Sequence, residues 1–415
     1  MTDAKKRIVI AGAGFGGITA ALTLARYRRR WEEEAEVILI DRHRHQLYTP
    51  ALYEIAAIPR GYTSDHSLKA SPLIPIAEII RGKPITFLCD EVTGLEPELK
   101  TLFLESRGGV RYDKLIVALG SETNYFGIPG LKEMSFPLKT PDDALRLRNA
   151  IEHSFSAKDS LKIVVGGGGS SGVELVAEFV NFICTLNAHS PEKNNLCNVH
   201  FLLIEAAQTL LPGFAPWVAE RAEKRLKKLG IEVRTRATLT QITPQELSFM
   251  DGSREPYDIF IWTGGVKGSS VLTQFHLPLS SKGAVLINQY LHPQGNAKDI
   301  YAIGDSATFI NPLTRTPLLW NVPVAESQGR SAAHNILRTL ERRSEYPFVP
   351  LKKYPFILAV GKKYAIADLV LIRFSGFLGW TAKTLVELRY LLFILPPRSA
   401  LFHWWRNIWL YRSND

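Results

Sequence analysis

The chain carries one glycine spacing twice. Gly12-Ala13-Gly14-Phe15-Gly16-Gly17 follows the apolar run Arg7-Ile8-Val9-Ile10-Ala11, and Gly167-Gly168-Gly169-Ser170-Ser171-Gly172 follows Leu161-Lys162-Ile163-Val164-Val165. Short β-branched runs of this kind read as buried parallel strands. Each turn opens a helical segment, beginning Ile18 to Ala25 in the first case and Val173 to Val180 in the second. Each helix leads to another apolar run that ends in an acid: Glu36 to Ile40 before Asp41, and Val199 to Ile204 before Glu205. One Gly-x-Gly-x-x-Gly is a weak signal, but strand, turn, helix, strand and acid together, and twice, are a strong one.

The spacing has a physical reading. The first glycine allows a tight turn, the second lets a pyrophosphate approach the backbone, and the third lets helix and strand pack closely. The helix start presents unpaired N–H groups and the positive end of its dipole to phosphate. Gly12, Gly14 and Gly17 therefore mark one dinucleotide site, and Gly167, Gly169 and Gly172 a second. Asp41 lies 24 residues past Gly17, near the spacing of about 20 for a ribose-binding acid. Acids at Asp41 and Glu205 accept hydrogen bonds from ribose hydroxyls and repel a 2′-phosphate. The residues after Glu205, Ala206-Ala207-Gln208-Thr209, hold no arginine, which favours NAD over NADP. Two nucleotides on one polypeptide point to electron transfer between them.

At 415 residues, with 46% hydrophobic and 22% charged residues, the chain is long enough for two or three domains with large cores. Cys89, Cys184 and Cys197 form no metal or Cys-x-x-Cys spacing and read as buried small hydrophobes in a reducing compartment, with no metal site. Lys5-Lys6-Arg7 runs straight into a strand, so no signal peptide is expected. Apart from Ile8 to Ala25, which holds the first glycine turn, no 18-residue stretch is free of charge, and no spanning helix is expected.

The apolar strand Tyr112 to Leu119 ends at Gly120, and its counterpart Tyr257 to Trp262 ends at Thr263-Gly264-Gly265. A third strand end, Ala302-Ile303-Gly304-Asp305, precedes a helix from Glu326 to Leu340, and its Gly-Asp pair can approach a ribityl chain or phosphate. We expect a first nucleotide-binding segment over 1–139, a second nucleotide domain over 140–285, the return of the first domain over 286–350, and a separate C-terminal region over 351–415.

That last region differs in kind. It holds ten Lys/Arg against three Asp/Glu, so +7 of the net charge of +10 falls there, with four of the eight tryptophans at or beyond Trp380. An apolar helix is expected from Phe374 to Leu395, broken by Pro396-Pro397, and then Ala400 to Tyr411 with Phe402, Trp404, Trp405 and Trp409. On a helical wheel Lys383 and Glu387 fall opposite Leu378, Leu385 and Leu392, while Arg389 falls on the apolar side. Tryptophan rings suit a lipid headgroup region, and lysines snorkel beside them. The region reads as an in-plane membrane anchor, with a helical hairpin packed on the protein as the alternative. Basicity set among Trp and Leu fits a membrane better than nucleic acid.

Together these pieces resemble the type II NADH dehydrogenases, single-subunit NADH:quinone oxidoreductases. The likeness runs through Val9 to Gly17, Leu39-Ile40-Asp41-Arg42, Leu47 to Tyr53, Ala118 to Ser121 with Phe126 to Gly130, Gly172-Val173-Glu174-Leu175, Ile204-Glu205-Ala206 with Leu210 to Phe214, Trp262 to Val266, and Ala302 to Asp305. The resemblance implies an α/β fold of two Rossmann-like domains, glutathione-reductase-like, with the NAD domain inserted in the FAD domain and a C-terminal helical membrane-associating segment. It implies that Gly12, Gly14, Gly17, Asp41, Gly120, Gly304, Asp305 and Ala325 hold FAD, and that Gly167, Gly169, Gly172, Glu205 and Gly265 hold NADH. It implies a quinone acceptor and a peripheral enzyme on the cytoplasmic face of the cell membrane, and it leaves a homodimer open.

The expected reaction is non-electrogenic: hydride from NADH to FAD, then two electrons to a membrane quinone. Two residues are the catalytic candidates. Glu174, two residues into the second helix, would orient nicotinamide or relay a proton. Gln328 would hydrogen-bond a quinone carbonyl. Family members carry an Ala-Gln-x-x-x-Gln-Gln type motif where quinone enters. Here Val322-Pro323-Val324-Ala325-Glu326-Ser327-Gln328 replaces two of its glutamines by Pro323 and Ser327, which leaves the acceptor open. The alternatives are a redox-sensing flavoprotein with slow NADH oxidation, and a sulfide:quinone type of reductase, which needs a redox cysteine pair. Residues Leu47 to Ile58 lack the Cys-x4-Cys of disulfide reductases.

Overall fold

A computed structural model of the chain describes residues 5–188 and 198–412, so Cys197 lies outside the described residues. The described chain forms two compact units. One comprises Met1–Leu47, Ile74–Glu122 and Val266–Tyr354; the other comprises Tyr48–Leu73, Thr123–Gly265 and Pro355–Asp415.

The first unit is built on a five-stranded parallel sheet ordered Ile300–Ala302, Lys114–Val117, Lys6–Ala11, Ala35–Asp41, Ile85–Cys89. Ile8, Val9 and Ile10 are fully buried, as a strand covered on both faces requires. The helix Phe15–Arg26 follows the first strand and packs along the helix Val322–Leu340. The two backbones nearly touch: a Cβ at Gly329 would stand 2.4 Å from the Gly16 carbonyl oxygen. Asn321 caps the later helix by accepting from the Val324 N–H at 3.0 Å. Pro323 sits in the first turn, where its missing N–H costs nothing.

The second unit repeats the plan. Its parallel sheet is ordered Phe136–Pro137, Ile259–Trp262, Leu161–Gly166, Val199–Ile204, Glu232–Arg234. In both sheets the strand before the glycine turn is central, the acid-ending strand lies on one side and a later strand on the other. That is the switch point of strand order, where open α/β sheets bind ligands beyond the carboxyl ends of their strands. Each unit also carries a three-stranded antiparallel ribbon, Val92–Glu96 to Gly108–Arg111 in the first and Leu239–Ile242 to Arg254–Pro256 in the second.

The compact units divide the chain at other places than 140 and 285. Residues 124–137 go with the second turn: Trp262 Nε1 donates to the Asn124 carbonyl at 2.8 Å, Ile242 N–H to the Pro129 carbonyl at 3.0 Å, and Phe136 pairs with Ile261. Beyond Gly265, Val285–Ile287 pairs with Ala307–Phe309 in the first unit. Residues 48–73 leave the first turn's unit for the second, where the fully buried Arg148 reaches Asp65 at 2.7 Å.

The C-terminal region also belongs to the second unit. It opens with an antiparallel sheet of Phe356–Ala359, Ala365–Asp368 and Arg373–Gly376. The helix expected from Phe374 begins instead at Phe377 and runs to Ile394, because Phe374 to Gly376 are spent on the sheet and Gly376 adopts φ +91°. Leu395 and Pro396 separate it from the helix Pro397–Tyr411, whose first residue is the second proline of the pair. Among the described residues no helix is long and apolar enough to cross a membrane.

Candidate functional site

The two glycine turns have the same geometry. Gly12 and Gly167 both adopt φ +107°, and a Cβ would strike the Ala118 carbonyl oxygen at 2.2 Å in one and the Gly264 Cα at 2.4 Å in the other. The third glycines are equally constrained. A Cβ at Gly17 would lie 1.8 Å from the Gly12 carbonyl oxygen, and one at Gly172 would lie 1.9 Å from that of Gly167. The middle glycines, Gly14 and Gly169, meet nothing within 4 Å. Space is thus left open at the one position of each turn where a pyrophosphate would lie.

The acids match as well. Asp41 Oδ2 accepts from the Ala13 N–H at 2.7 Å and Oδ1 from the His43 N–H at 2.8 Å. Glu205 Oε2 accepts from the Gly168 N–H at 2.6 Å and Oε1 from the Ala207 N–H at 2.8 Å. Each carboxylate therefore ties the second residue of its turn to the end of the neighbouring strand. His43 is exposed in the bend that follows Asp41, and His45 is exposed at the start of the short strand His45–Leu47.

The first unit collects the other expected FAD residues around its strand ends. Gly120 N–H donates to Ser306 Oγ at 2.8 Å, and Ser121 Oγ donates to Asp305 Oδ2 at 2.7 Å. Gly304 adopts φ +61°, and a Cβ there would lie 3.3 Å from the Ala325 Cβ. An open turn, a helix start and a strand-end aspartate within one unit suit the phosphates and polyol of FAD. Gln328 takes a different place from the one expected. It is 1% exposed, and its Oε1 accepts from the Gly304 N–H at 2.7 Å. It has no open face toward a diffusing quinone and holds the Gly304 backbone instead. Trp320 donates from Nε1 to the Ala307 carbonyl at 3.0 Å.

The second turn opens on a cavity of about 360 Å³ lined by Phe126, Ile128, Glu205, Ala206, Leu239 and Trp262 among others. Gly265 stands beneath the Phe126 ring, where a Cβ would meet ring carbons at 2.8 Å. An acid beside an apolar, aromatic wall suits an adenosine: ribose hydroxyls on the carboxylate and base against the rings.

Glu174 lies on the helix Ser170–Ala188 and is half-buried, with the Ala359 N–H 3.4 Å from its Oε1. Burial, reinforced by the Glu54 charge, pushes its carboxyl up to about 8 against the opposing pull of Lys383. Lys383 and Glu387 face inward, on the side of the helix opposite the exposed Leu378, Leu385 and Leu392. Lys383 forms an ion pair with Glu54 and sits 4.9 Å over the Tyr53 ring. Burial pulls its ammonium down, and the Glu54 carboxylate more than restores it. Glu387 accepts from Asn407 Nδ2 at 2.8 Å, and burial raises its carboxyl. This cluster joins segments more than a hundred residues apart, so sequence spacing gave no signal for Glu54 or Lys383 as partners of Glu174. Lys383→Met would leave Glu54 buried without its cation. It is expected to cost about 3–5 kcal/mol of stability, read as a lowered thermal midpoint, and Glu54→Gln added to it should restore much of that loss.

With Lys383, Glu387 and Asn407 turned inward, the C-terminal helices present apolar side chains outward. Phe377, Leu378, Leu385, Leu392, Phe402, Trp405 and Trp409 are all exposed, and the hairpin residue Leu371 is 93% exposed. The inner side is pinned by Trp404 Nε1 donating to the Thr384 carbonyl, by Tyr411 and Ser71 hydroxyls at 2.8 Å, and by Arg406 Nη2 on the Ser71 carbonyl at 2.8 Å. The tail is thus a helical hairpin packed within its own unit, with an apolar outer face. Arg389 is exposed on that outer side.

Cys89 and Cys184 are unpaired and half-exposed rather than buried. Cys89 ends an outer strand of its sheet, and Cys184 lies beyond the fully covered part of its helix.

A model of the pyridine nucleotide-disulphide oxidoreductase family matches residues 6–329. The chain is 28% identical over 398 residues to the demethylphylloquinone reductase of Synechocystis sp., covering 94% of this chain and 93% of that protein. It is 25% identical over 431 residues to a type II NADH:quinone oxidoreductase of Mycobacterium tuberculosis, covering 96% and 86%. Among solved structures, the NDH2 of Plasmodium falciparum in complex with NADH superposes with a TM-score of 0.81 at 19% identity over 97% of each chain. The sulfide:quinone oxidoreductase of Aquifex aeolicus superposes with a TM-score of 0.76 at 19% identity over 93% and 90%.

Proposed function

This chain belongs to the pyridine nucleotide-disulphide oxidoreductase family, and on that premise we propose that it is a type II NADH:quinone oxidoreductase using FAD. The observation that carries the reading is the geometric equivalence of the two glycine turns, each open at its middle glycine and each with its own acid. The relatives of closely similar length named for quinone reduction supply the acceptor class.

FAD, held by Gly12, Gly14, Gly17, Asp41, Gly120, Gly304, Asp305 and Ala325, supplies hydride acceptance and two-electron donation when bound. The chain's own residues bind, orient and handle protons. Gly167, Gly169, Gly172, Gly265 and Glu205 hold NADH by its pyrophosphate and ribose. The net reaction consumes NADH, one proton and quinone, and yields NAD⁺ and quinol, so a proton must be delivered. Glu174, raised to about 8 by burial, carries that proton at neutral pH. Lys383 and Glu54 hold the charge environment that sets it. Gln328 acts as a positioning residue through Gly304.

The exposed apolar face of the C-terminal helices docks on one leaflet, at the cytoplasmic face of the cell membrane, with Lys and Arg at its margins meeting phosphates. Leu378→Glu with Phe402→Glu and Trp405→Glu is expected to abolish co-flotation with anionic vesicles while leaving oxidation of NADH by a soluble quinone analogue within about twofold of normal. Unchanged flotation would remove this face as the contact.

The function itself is tested by mixing the FAD-loaded protein with NADH and then with ubiquinone or menaquinone analogues. Flavin absorbance should bleach with NADH and recover with a quinone. Bleaching without recovery by either analogue would replace this reading with that of a redox-sensing flavoprotein. Reoxidation by quinone after sulfide, and not after NADH, would favour the sulfide:quinone type.

A further inference from the structure

The fold brings to the acid of the second turn a cation that chain order conceals. The strand Glu232–Arg234 runs beside Val199–Ile204, with Arg234 opposite Ile204. The chain leaving it stays alongside the segment that follows Glu205. Glu205 N–H donates to the Arg234 carbonyl, Arg236 N–H to the Ala207 carbonyl, and Ala237 N–H to the Glu205 carbonyl, each at 2.9 Å. Arg236 is thus laced to the residues that bracket the acid, although it is 31 positions away in sequence. Ala237 and Thr238, which follow it, line the same cavity as Glu205 and Ala206.

Arg236 is exposed, and among the described residues its guanidinium has no ion pair or hydrogen bond. Its neighbour Arg234 is committed, reaching Asp251 at 3.1 Å and lying 4.5 Å over the Phe249 ring. Arg236 also holds φ +57°, a left-handed backbone that few residues other than glycine adopt. Such a conformation persists only where the surroundings enforce it, and here the two flanking hydrogen bonds to the acid's segment do so.

We propose that Arg236 reads the 2′ position of the adenosine ribose, so that this chain accepts NADPH as well as NADH. The inference rests on the second turn being the donor-nucleotide site. Both Glu205 oxygens already accept backbone N–H bonds, which stabilise its charge within the turn. A 2′-phosphate brings about two further negative charges and needs a cation nearby. The planar guanidinium fork matches phosphate oxygens two at a time. With NADH in place Arg236 faces solvent and Glu205 meets the 2′-hydroxyl. With NADPH the arginine supplies the compensating contact. The four residues after Glu205 hold no arginine and favour NAD over NADP, and the chain leaving the parallel neighbour strand supplies the arginine they lack.

The test uses the full chain loaded with FAD and compares ADP-ribose with 2′-phospho-ADP-ribose, read by calorimetry or by quenching of Trp262 in the cavity wall. The natural protein should bind both. Arg236→Ala should weaken the phosphorylated probe roughly ten- to a hundredfold, the scale of a charge-assisted pair, and leave ADP-ribose within about twofold. Arg236→Lys should recover part of the loss. NADPH and NADH oxidation should follow the same pattern. Binding of ADP-ribose with rejection of the phosphorylated probe by the natural protein would overturn the inference while the donor site stands, as would an unchanged ratio in Arg236→Ala. Failure to bind either probe would remove the donor-site reading itself, and this inference with it.

Discussion

Gly14→Val is expected to yield a folded protein that retains no flavin, and Gly169→Val one that retains flavin which NADH no longer reduces. Both positions are open, with nothing within 4 Å of an added Cβ. Gly14 has extended dihedrals of φ −72° and ψ −169°, which valine adopts readily. The added Cβ therefore meets no protein atom within 4 Å, and what the side chain excludes is a phosphate approaching the turn. The thermal midpoint of the apoprotein should hardly move in either variant. Flavin absorbance per chain should fall at least about tenfold in Gly14→Val, matching a lost binding free energy of about 1.4 kcal/mol or more. In Gly169→Val dithionite should still bleach the flavin while NADH does not. Flavin loss in Gly169→Val with retention in Gly14→Val would reverse the assignment of the two turns. The third glycines could not serve this purpose, because a Cβ at Gly17 or Gly172 overlaps the turn itself.

Glu174→Gln should lower turnover by about 10²-fold, the usual scale for a positioned proton donor, and should remove an ionisation near pH 8 from the rate profile. The natural enzyme should lose rate as pH rises through about 8, since only the protonated carboxyl donates. Stability follows with a definite sign. The folded carboxyl sits at about 8 against an ordinary value of 4.5, so between those limits the folded chain binds more protons than the unfolded one. Stability therefore falls as pH rises across that window and levels off above it. The glutamine variant lacks this term, so its thermal midpoint should exceed that of the natural protein most clearly above pH 8. A variant with full turnover, an unaltered rate profile and an unaltered stability slope would reduce Glu174 to a helix-start carboxylate.

Much of this site could be read from the chain because a dinucleotide turn is local. Strand, glycine spacing, helix and acid lie within some forty residues, and each imposes its own residue type. Gly12, Gly14, Gly17 and Asp41, and likewise Gly167, Gly169, Gly172 and Glu205, come together in the structure as their order suggested. What escaped was non-local. Nothing near Glu174 in sequence announces Glu54 or Lys383, which arrive from residues 48–73 and from the C-terminal helix. Arg236 comes to Glu205 through strand pairing, which no spacing rule connects to the acid. Gln328 reads in the sequence as a group for a quinone carbonyl, but its side chain is buried and turned onto Gly304. The helical wheel correctly split Lys383 and Glu387 from Leu378, Leu385 and Leu392. A wheel gives opposition and not direction, and the structure put the charges inside because Glu54 and Asn407 satisfy them there.

The pinned C-terminal helices have a colloidal consequence. Peptides that fold on meeting a bilayer bear the entropy of ordering at that moment. Here Trp404, Tyr411, Arg406 and Asn407 fix the helices from within before any lipid arrives. The greasy face is a permanent feature of the free protein, and in water its cheapest cover is another copy of itself. Without lipid or detergent the chain should therefore self-associate in a concentration-dependent way, and salt that screens the surrounding lysines and arginines should hasten it.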